Sequence, residues 1–170
     1  MIFGRPGSGK STFANHLGKT LNLPVYHLDK IFYTHNWVER DKQEFLSLQQ
    51  KMVNLDNWII NGNATKSLEM RYAKADIAIY FLFPRITCLR RIIKRRFTKN
   101  NHIDDRALNC PEKISWKLIW YMWTFNWRAK KTVANLQQKY PQTKFYLIKS
   151  DHELTNLWRE LVPKIDVNLY

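Results

Sequence analysis

Cysteine, acidic charge and long apolar runs are what this 170-residue chain has least of. Its two cysteines, Cys88 and Cys110, lie far apart with no Cys or His partner at metal-ligand spacing. They read as reduced thiols of a cytoplasmic protein, which excludes a zinc site. No apolar run nears the roughly 20 residues that span a bilayer, and no signal-peptide pattern opens the chain. Asp and Glu number 14 against 28 Lys and Arg, so the formal net charge is +14. Such a field attracts polyanions, and charge alone does not separate a nucleotide from a nucleic acid. The five histidines, His16, His27, His35, His102 and His152, form no triad and no metal set.

What is present argues for a folded chain. Apolar residues make up 45% and aromatics 14%, which excludes a disordered protein. The length allows one domain over 1–170 with a core of useful size.

The segment Gly4-Arg5-Pro6-Gly7-Ser8-Gly9-Lys10-Ser11 spells G-x-x-x-x-G-K-[ST]. In this phosphate loop glycines let successive N–H groups turn inward around an anion. Lys10 reaches the β and γ oxygens, and Ser11 ligates Mg²⁺. At an average glycine usage of about 7%, accident produces the pattern in well under ~1% of chains this long. Phe13, Leu17 and Leu21 follow at spacings of four, so a helix opens directly after the loop and adds its N-terminal dipole. Gly4, Gly7, Ser8, Gly9, Lys10, Ser11 and Thr12 are therefore the expected phosphate-binding set.

Strand-like and helix-like segments alternate along the rest. Residues 23–28 form a short run ending at Asp29, and Asp41-Lys42-Gln43-Glu44 looks like a capping box for a helix with Phe45, Leu48, Met52 and Leu55 on one face. Trp58-Ile59-Ile60 stops at the turn-forming Asn61-Gly62-Asn63. Residues 77–83 are an unbroken apolar run, as in a strand buried on both faces; Pro84 ends it, and 85–97 reads as a very basic helix. The polar stretch 98–112 reads as a flap, 113–139 as a long helix, 144–148 as a strand, and Leu154, Leu157, Trp158 and Leu161 mark a closing helix. This alternation implies an α/β fold, a parallel sheet with helices on both faces, with ligands beyond the carboxyl ends of the strands. The first strand has only Met1-Ile2-Phe3 before the loop. Central strands usually run about five or six residues, so the expectation is that the native start lies upstream of Met1, which intact-mass analysis checks.

Asp29, at a strand end beside the loop, is placed to orient an acceptor hydroxyl, take its proton, or hold Mg²⁺ through water. A helix cap or solvated loop acid is the alternative. Asn61 and Asn63 are neutral amides that bind substrate or order water and supply no charge. Arg71 suits an acceptor phosphate, and Arg91 and Arg95, four apart on one helix face, suit the transferring phosphoryl group. Trp116, Trp120, Trp123 and Trp127 recur at helical spacing; core packing is the favoured reading and base stacking the other.

Taken with GRPGSGKST at 4–12, the stretches VYHLDKIF at 25–32, WIINGN at 58–63, FPRITCLRRIIKRR at 83–96 and CPEKISW at 110–116 give a wider match. The chain resembles the adenylate-kinase-like branch of P-loop NTPases, and more narrowly the bacterial topology modulation (FlaR-like) proteins. The resemblance implies a three-layer fold with a five-stranded parallel sheet of order 2-3-1-4-5 and a short lid at about 98–113. It also implies ATP with Mg²⁺, and Arg91 and Arg95 as lid-side phosphate contacts. Asn61 stands where this family often has Asp, which shifts weight to Asp29. The functional expectation is an ATP-dependent kinase acting on a nucleotide or other small acceptor. Lys10, Asp29, Arg91 and Arg95 would be catalytic, with Asp29, Asn63 and Arg71 on the acceptor. The alternative is an ATP-binding regulator that holds nucleic acid through its basic face. The acceptor itself is not legible, because its pocket is lined by segments such as 33–38.

Overall fold

In a computed structural model the described residues are 1–97 and 115–162, so the expected lid at 98–113 lies outside them. Five parallel strands form one sheet in the order β2-β3-β1-β4-β5, as expected. They are β1 (Ile2–Gly4), β2 (Val25–His27), β3 (Ile59–Asn61), β4 (Ile77–Phe81) and β5 (Lys144–Ile148). The helices are α1 (Lys10–Leu21), α2 (Leu28–Phe32), α3 (Lys42–Val53), α4 (Leu68–Tyr72), α5 (Arg85–Phe97), α6 (Trp116–Lys139) and α7 (Asp151–Leu161). No helix among the described residues is long and apolar enough to cross a membrane.

The two-sided burial of β4 follows from its period of two. Ile79 and Phe81 face Phe13, Ala14 and Leu17 of α1 with Leu157 of α7. Ala78 and Tyr80 face Phe125, Ala129, Val133 and Leu136 of α6. A strand covered on both sides has no position for a polar residue, hence the unbroken run. The short β1 is central: Ile2, Phe3 and Gly4 align with Ile79, Tyr80 and Phe81 of β4, and Ile2 also aligns with Asn61 of β3. Its register brings the loop after Gly4 to the carboxyl edge, next to the ends of β3 and β4.

Two sequence expectations change. Asp41 caps α3, its carboxylate accepting from the Gln43 and Glu44 amides at 2.8 and 3.0 Å, but the buried face is Phe45, Gln49 and Val53. Leu55 lies past the helix end and is exposed. The larger correction is the tryptophan stripe. Trp116, Trp120, Trp123 and Trp127 are 86, 70, 41 and 82% exposed and form no part of the core. The core stripe of α6 is the adjacent one, Met122, Phe125, Ala129, Val133 and Leu136. Two apolar stripes lie side by side on this helix. The one with small residues wins the sheet contact, because Ala129 and Val133 permit close approach to Phe3 and Tyr80 where indoles would not.

Candidate functional site

The loop between β1 and α1 is a cradle built by the backbone. Arg5 N–H donates to the Phe81 carbonyl at 2.8 Å, while the Arg5 side chain turns into the interior and donates to the Phe83 carbonyl; burial lowers its pKa. Gly7 has φ +76°, and a Cβ there would lie 2.6 Å from the Cys88 carbonyl oxygen, so the loop is pressed against α5 at a point that only glycine permits. Gly9 caps α1 without any side-chain cap. The first-turn N–H groups of α1 thus have no helical acceptor and face the cradle, an arrangement suited to an anion. The Lys10 ammonium rests on the Arg5 carbonyl at 2.9 Å, which also accepts from Ser8 Oγ at 2.7 Å.

Below the cradle runs a buried polar chain. His27 Nε2 pairs with Asn15 Oδ1 at 2.7 Å, and Asn61 Nδ2 approaches His27 Nδ1 at 2.9 Å and donates to Ser11 Oγ at 3.2 Å. The tautomer that fits both amide partners donates from Nε2 and accepts at Nδ1. Asn61 Oδ1 is buried with no hydrogen-bond partner among the described residues. Magnesium keeps several waters and uses few protein ligands. The Ser11 hydroxyl, the orphaned Asn61 carbonyl oxygen and the Asp29 carboxylate are hard oxygen donors, and all three residues line one cleft. The donor set fits Mg²⁺. Among the described residues no group of three His, Cys, Asp or Glu could hold a metal.

That cleft has a volume of about 1450 Å³ and runs from the loop to the helices after β2 and β3. Typical ligand sites are ~300–1,000 Å³, so there is room for two ligands side by side. Gly7 to Thr12, Asp29, Asn63, Arg91 and Arg95 all line it; Gly4 and Arg71 do not. Asp29 stands in the first turn of α2, exposed to the cleft.

Asn63 is also a strut. Its Oδ1 accepts from the Gly4 N–H at 2.9 Å, and its amide is near enough to the Tyr121 phenol to lower that group's pKa slightly. The Tyr121 phenol is pushed up chiefly by burial, opposed by Arg128 and raised further by Asp29, which places phenol and carboxylate in one electrostatic neighbourhood. Tyr121 lines the cleft and was hidden from sequence reasoning among the aromatic residues of α6.

Arg71 departs most from expectation. It is fully buried, and its guanidinium donates to the carbonyls of Ser67, Gly62 and Ala64 at 3.4, 3.0 and 2.8 Å. Desolvation pulls its pKa down to about 9. The side chain that suited an acceptor phosphate instead holds the loop after β3 in shape. Arg91 is likewise engaged: it donates to the Ser8 carbonyl at 3.0 Å, forks onto Asp151 at 2.8 and 2.9 Å, and lies 4.5 Å above the Phe83 ring. It clamps the loop to the start of α7 while lining the cleft. Its partner Asp151, 60 residues away in sequence, carried no local signal.

No family model and no curated protein matches the chain. Solved structures do resemble it. A shikimate kinase from Acinetobacter baumannii in complex with shikimate is 15% identical, with a TM-score of 0.55 over 96% of this chain and 93% of that one. A shikimate kinase from Bacteroides thetaiotaomicron is 15% identical, with a TM-score of 0.54 over 94% of this chain and 95% of that one. An uncharacterized protein from Eubacterium ventriosum is 15% identical, with a TM-score of 0.52 over 96% of each chain. The fold is that of P-loop kinases.

Proposed function

We propose that the protein is an ATP-dependent kinase that moves a γ-phosphoryl group to a small acceptor. The observation that carries this reading is the phosphate cradle at residues 4–12 and the Asp29 carboxylate sharing one cleft large enough for donor and acceptor. The loop amides and Lys10 grip the donor phosphates, Ser11 and the Asn61 carbonyl oxygen would hold Mg²⁺ together with water, and Arg95 lines the same cavity. Mg²⁺ when bound neutralises charge on the phosphates. Asp29 takes the proton of the attacking acceptor oxygen, that oxygen bonds to the γ-phosphorus, and the bond from phosphorus to the β–γ bridging oxygen breaks to release ADP. Such an activity belongs in the cytoplasm, where ATP is supplied. Purified protein given Mg-ATP and a broad acceptor panel is expected to release ADP with a subset of acceptors. Asp29→Asn should then lower kcat about 10²-fold with ATP affinity retained; a normal kcat in that variant overturns the role of Asp29.

A second activity is supported by α5 and α6. Neither helix contains an Asp or Glu, and α6 carries the four exposed tryptophans with Lys117, Arg128, Lys130 and Lys131. Arg85 lies 4.9 Å above the Trp123 ring. Exposed indoles among cations suit single-stranded nucleic acid, whose bases stack and whose phosphates pair with cations. This is the reading that agrees with the resemblance to topology modulation proteins. Binding of oligothymidylate should weaken with salt by about 0.7 log unit per log unit for each phosphate neutralised, and weaken further in Trp120→Ala and Trp127→Ala. Unchanged affinity in both variants removes this activity.

A further inference from the structure

The acceptor half of the cleft has a wall of aromatic rings and a strained residue at its end. Residues 32–40 form a small hairpin: Arg40 N–H donates to the Phe32 carbonyl at 2.7 Å, Thr34 N–H to Val38 at 2.9 Å, and Tyr33 bridges Glu39. Its tip is closed by Val38 N–H on the His35 carbonyl at 2.8 Å, and both central residues are left-handed, Asn36 at φ +46° and Trp37 at φ +63°. Asparagine and glycine belong in such a turn; a bulky indole does not. Glycine in place of Trp37 would relieve the strain, so Trp37 is a costly choice at this position. Residues held in sparsely populated backbone regions gather at ligand clamps.

Trp37 lines the cleft and is 36% exposed. Its ring meets Tyr33 edge-on at 5.0 Å, Tyr33 meets Phe32 at 4.9 Å, and Phe32 meets Phe45 at 5.0 Å. All four rings line the same cavity, as do Leu28, Leu46, Leu118, Asp29 and Tyr121. A wall of this composition recognises a flat apolar face. The charge pattern selects what the face carries. An acceptor whose attacking group is a phosphate would bring a second anion against Asp29. The arginine placed by sequence for that phosphate, Arg71, is fully buried, donates to the Gly62 and Ala64 carbonyls and does not line the cleft. Arg91 is held against the loop by its bond to the Ser8 carbonyl, and Arg95 lies one turn on in the same helix. Among the described residues the other Lys and Arg side chains away from the loop and α5 that line the cleft are Lys42 and Lys66, both exposed.

We infer that the acceptor is a hydroxyl compound with a planar aromatic ring and no phosphate of its own, its ring stacked on Trp37 and its hydroxyl directed at Asp29. This rests on the kinase reading and names its substrate class. The alcohol loses its proton to Asp29, its oxygen bonds to the γ-phosphorus, and the electron pair of the broken bond leaves with ADP.

The probes are four nucleosides, their 5′-monophosphates, shikimate and inositol, titrated calorimetrically into protein saturated with Mg²⁺ and a non-hydrolysable ATP analogue. At least one nucleoside is expected to bind, with its monophosphate weaker. Trp37→Gly should reduce nucleoside affinity about tenfold or more while the thermal midpoint stays level or rises, and Trp37→Phe should restore most of the affinity. The inference is overturned if no nucleoside binds, if monophosphates, shikimate or inositol bind more tightly, or if Trp37→Gly leaves affinity unchanged. It is also overturned if that variant loses stability in step with affinity, because Trp37 would then be packing and nothing more. Binding of the ATP analogue in the same titrations is read separately. Its absence counts against the kinase reading, whereas its presence without ring binding counts against the acceptor class alone.

Discussion

Lys10→Ala is expected to abolish phosphoryl transfer, with kcat down at least about 10³-fold and the folded state intact. The ammonium is the one side-chain cation that the loop itself carries over the cradle, on the Arg5 carbonyl 2.9 Å away. The donor phosphates offer far stronger acceptors than that carbonyl, so Lys10 turns toward them when they arrive. As charge moves onto the β–γ bridging oxygen in the transition state, the ammonium stabilises it more than it stabilises the ground state. The Lys10 ammonium stabilises no core packing, and Ser8 keeps its own bonds to Arg5. Circular dichroism and the thermal midpoint should therefore match wild type. Turnover near the wild-type rate with any acceptor would refute the kinase reading.

Arg71→Met is expected to act in the opposite way, lowering stability by about 3 kcal/mol with donor affinity nearly unchanged in the protein that remains folded. Methionine fills much of the same volume but donates nothing. The Gly62 and Ala64 carbonyls then lose donors at 3.0 and 2.8 Å inside the protein. Part of that loss is offset, because burial already disfavours the guanidinium enough to draw its pKa to about 9. The check is urea denaturation alongside equilibrium binding of an ATP analogue. If the variant were as stable as wild type and lost only acceptor affinity, Arg71 would be the phosphate contact that its sequence position suggests. The two experiments separate a group that acts on the ligand from one that acts on the fold, a distinction invisible in a string where both are basic residues near a motif.

The phosphate-loop pattern and the cradle it builds were legible in the chain. The loop pattern demands contiguous residues, because the backbone itself binds the anion, and contiguous backbone requirements leave a contiguous trace. The strand order was legible through resemblance, and β4 through its apolar run, since burial on both faces admits no polar residue. Asp29 was readable because the end of a strand beside the loop points to the ligand edge of any parallel sheet.

The remainder was decided by contacts between distant segments. Two apolar stripes on α6 satisfy the same helical period, and only the close approach of β1 and β4 chooses Ala129 and Val133 for the interior and leaves the indoles outside. Asp151 meets Arg91 across 60 residues, and Tyr121 of α6 comes into the electrostatic neighbourhood of Asn63 and Asp29, far from it in sequence. The strain at Trp37 is a backbone angle, and no residue name encodes it. The sequence by itself determined the cradle-forming loop after β1, because that backbone requirement is local. Only the tertiary structure decided that Arg71 is buried on backbone carbonyls, that four tryptophans face outward, and that aromatic rings line the cleft, because burial and neighbourhood are properties of the packed chain.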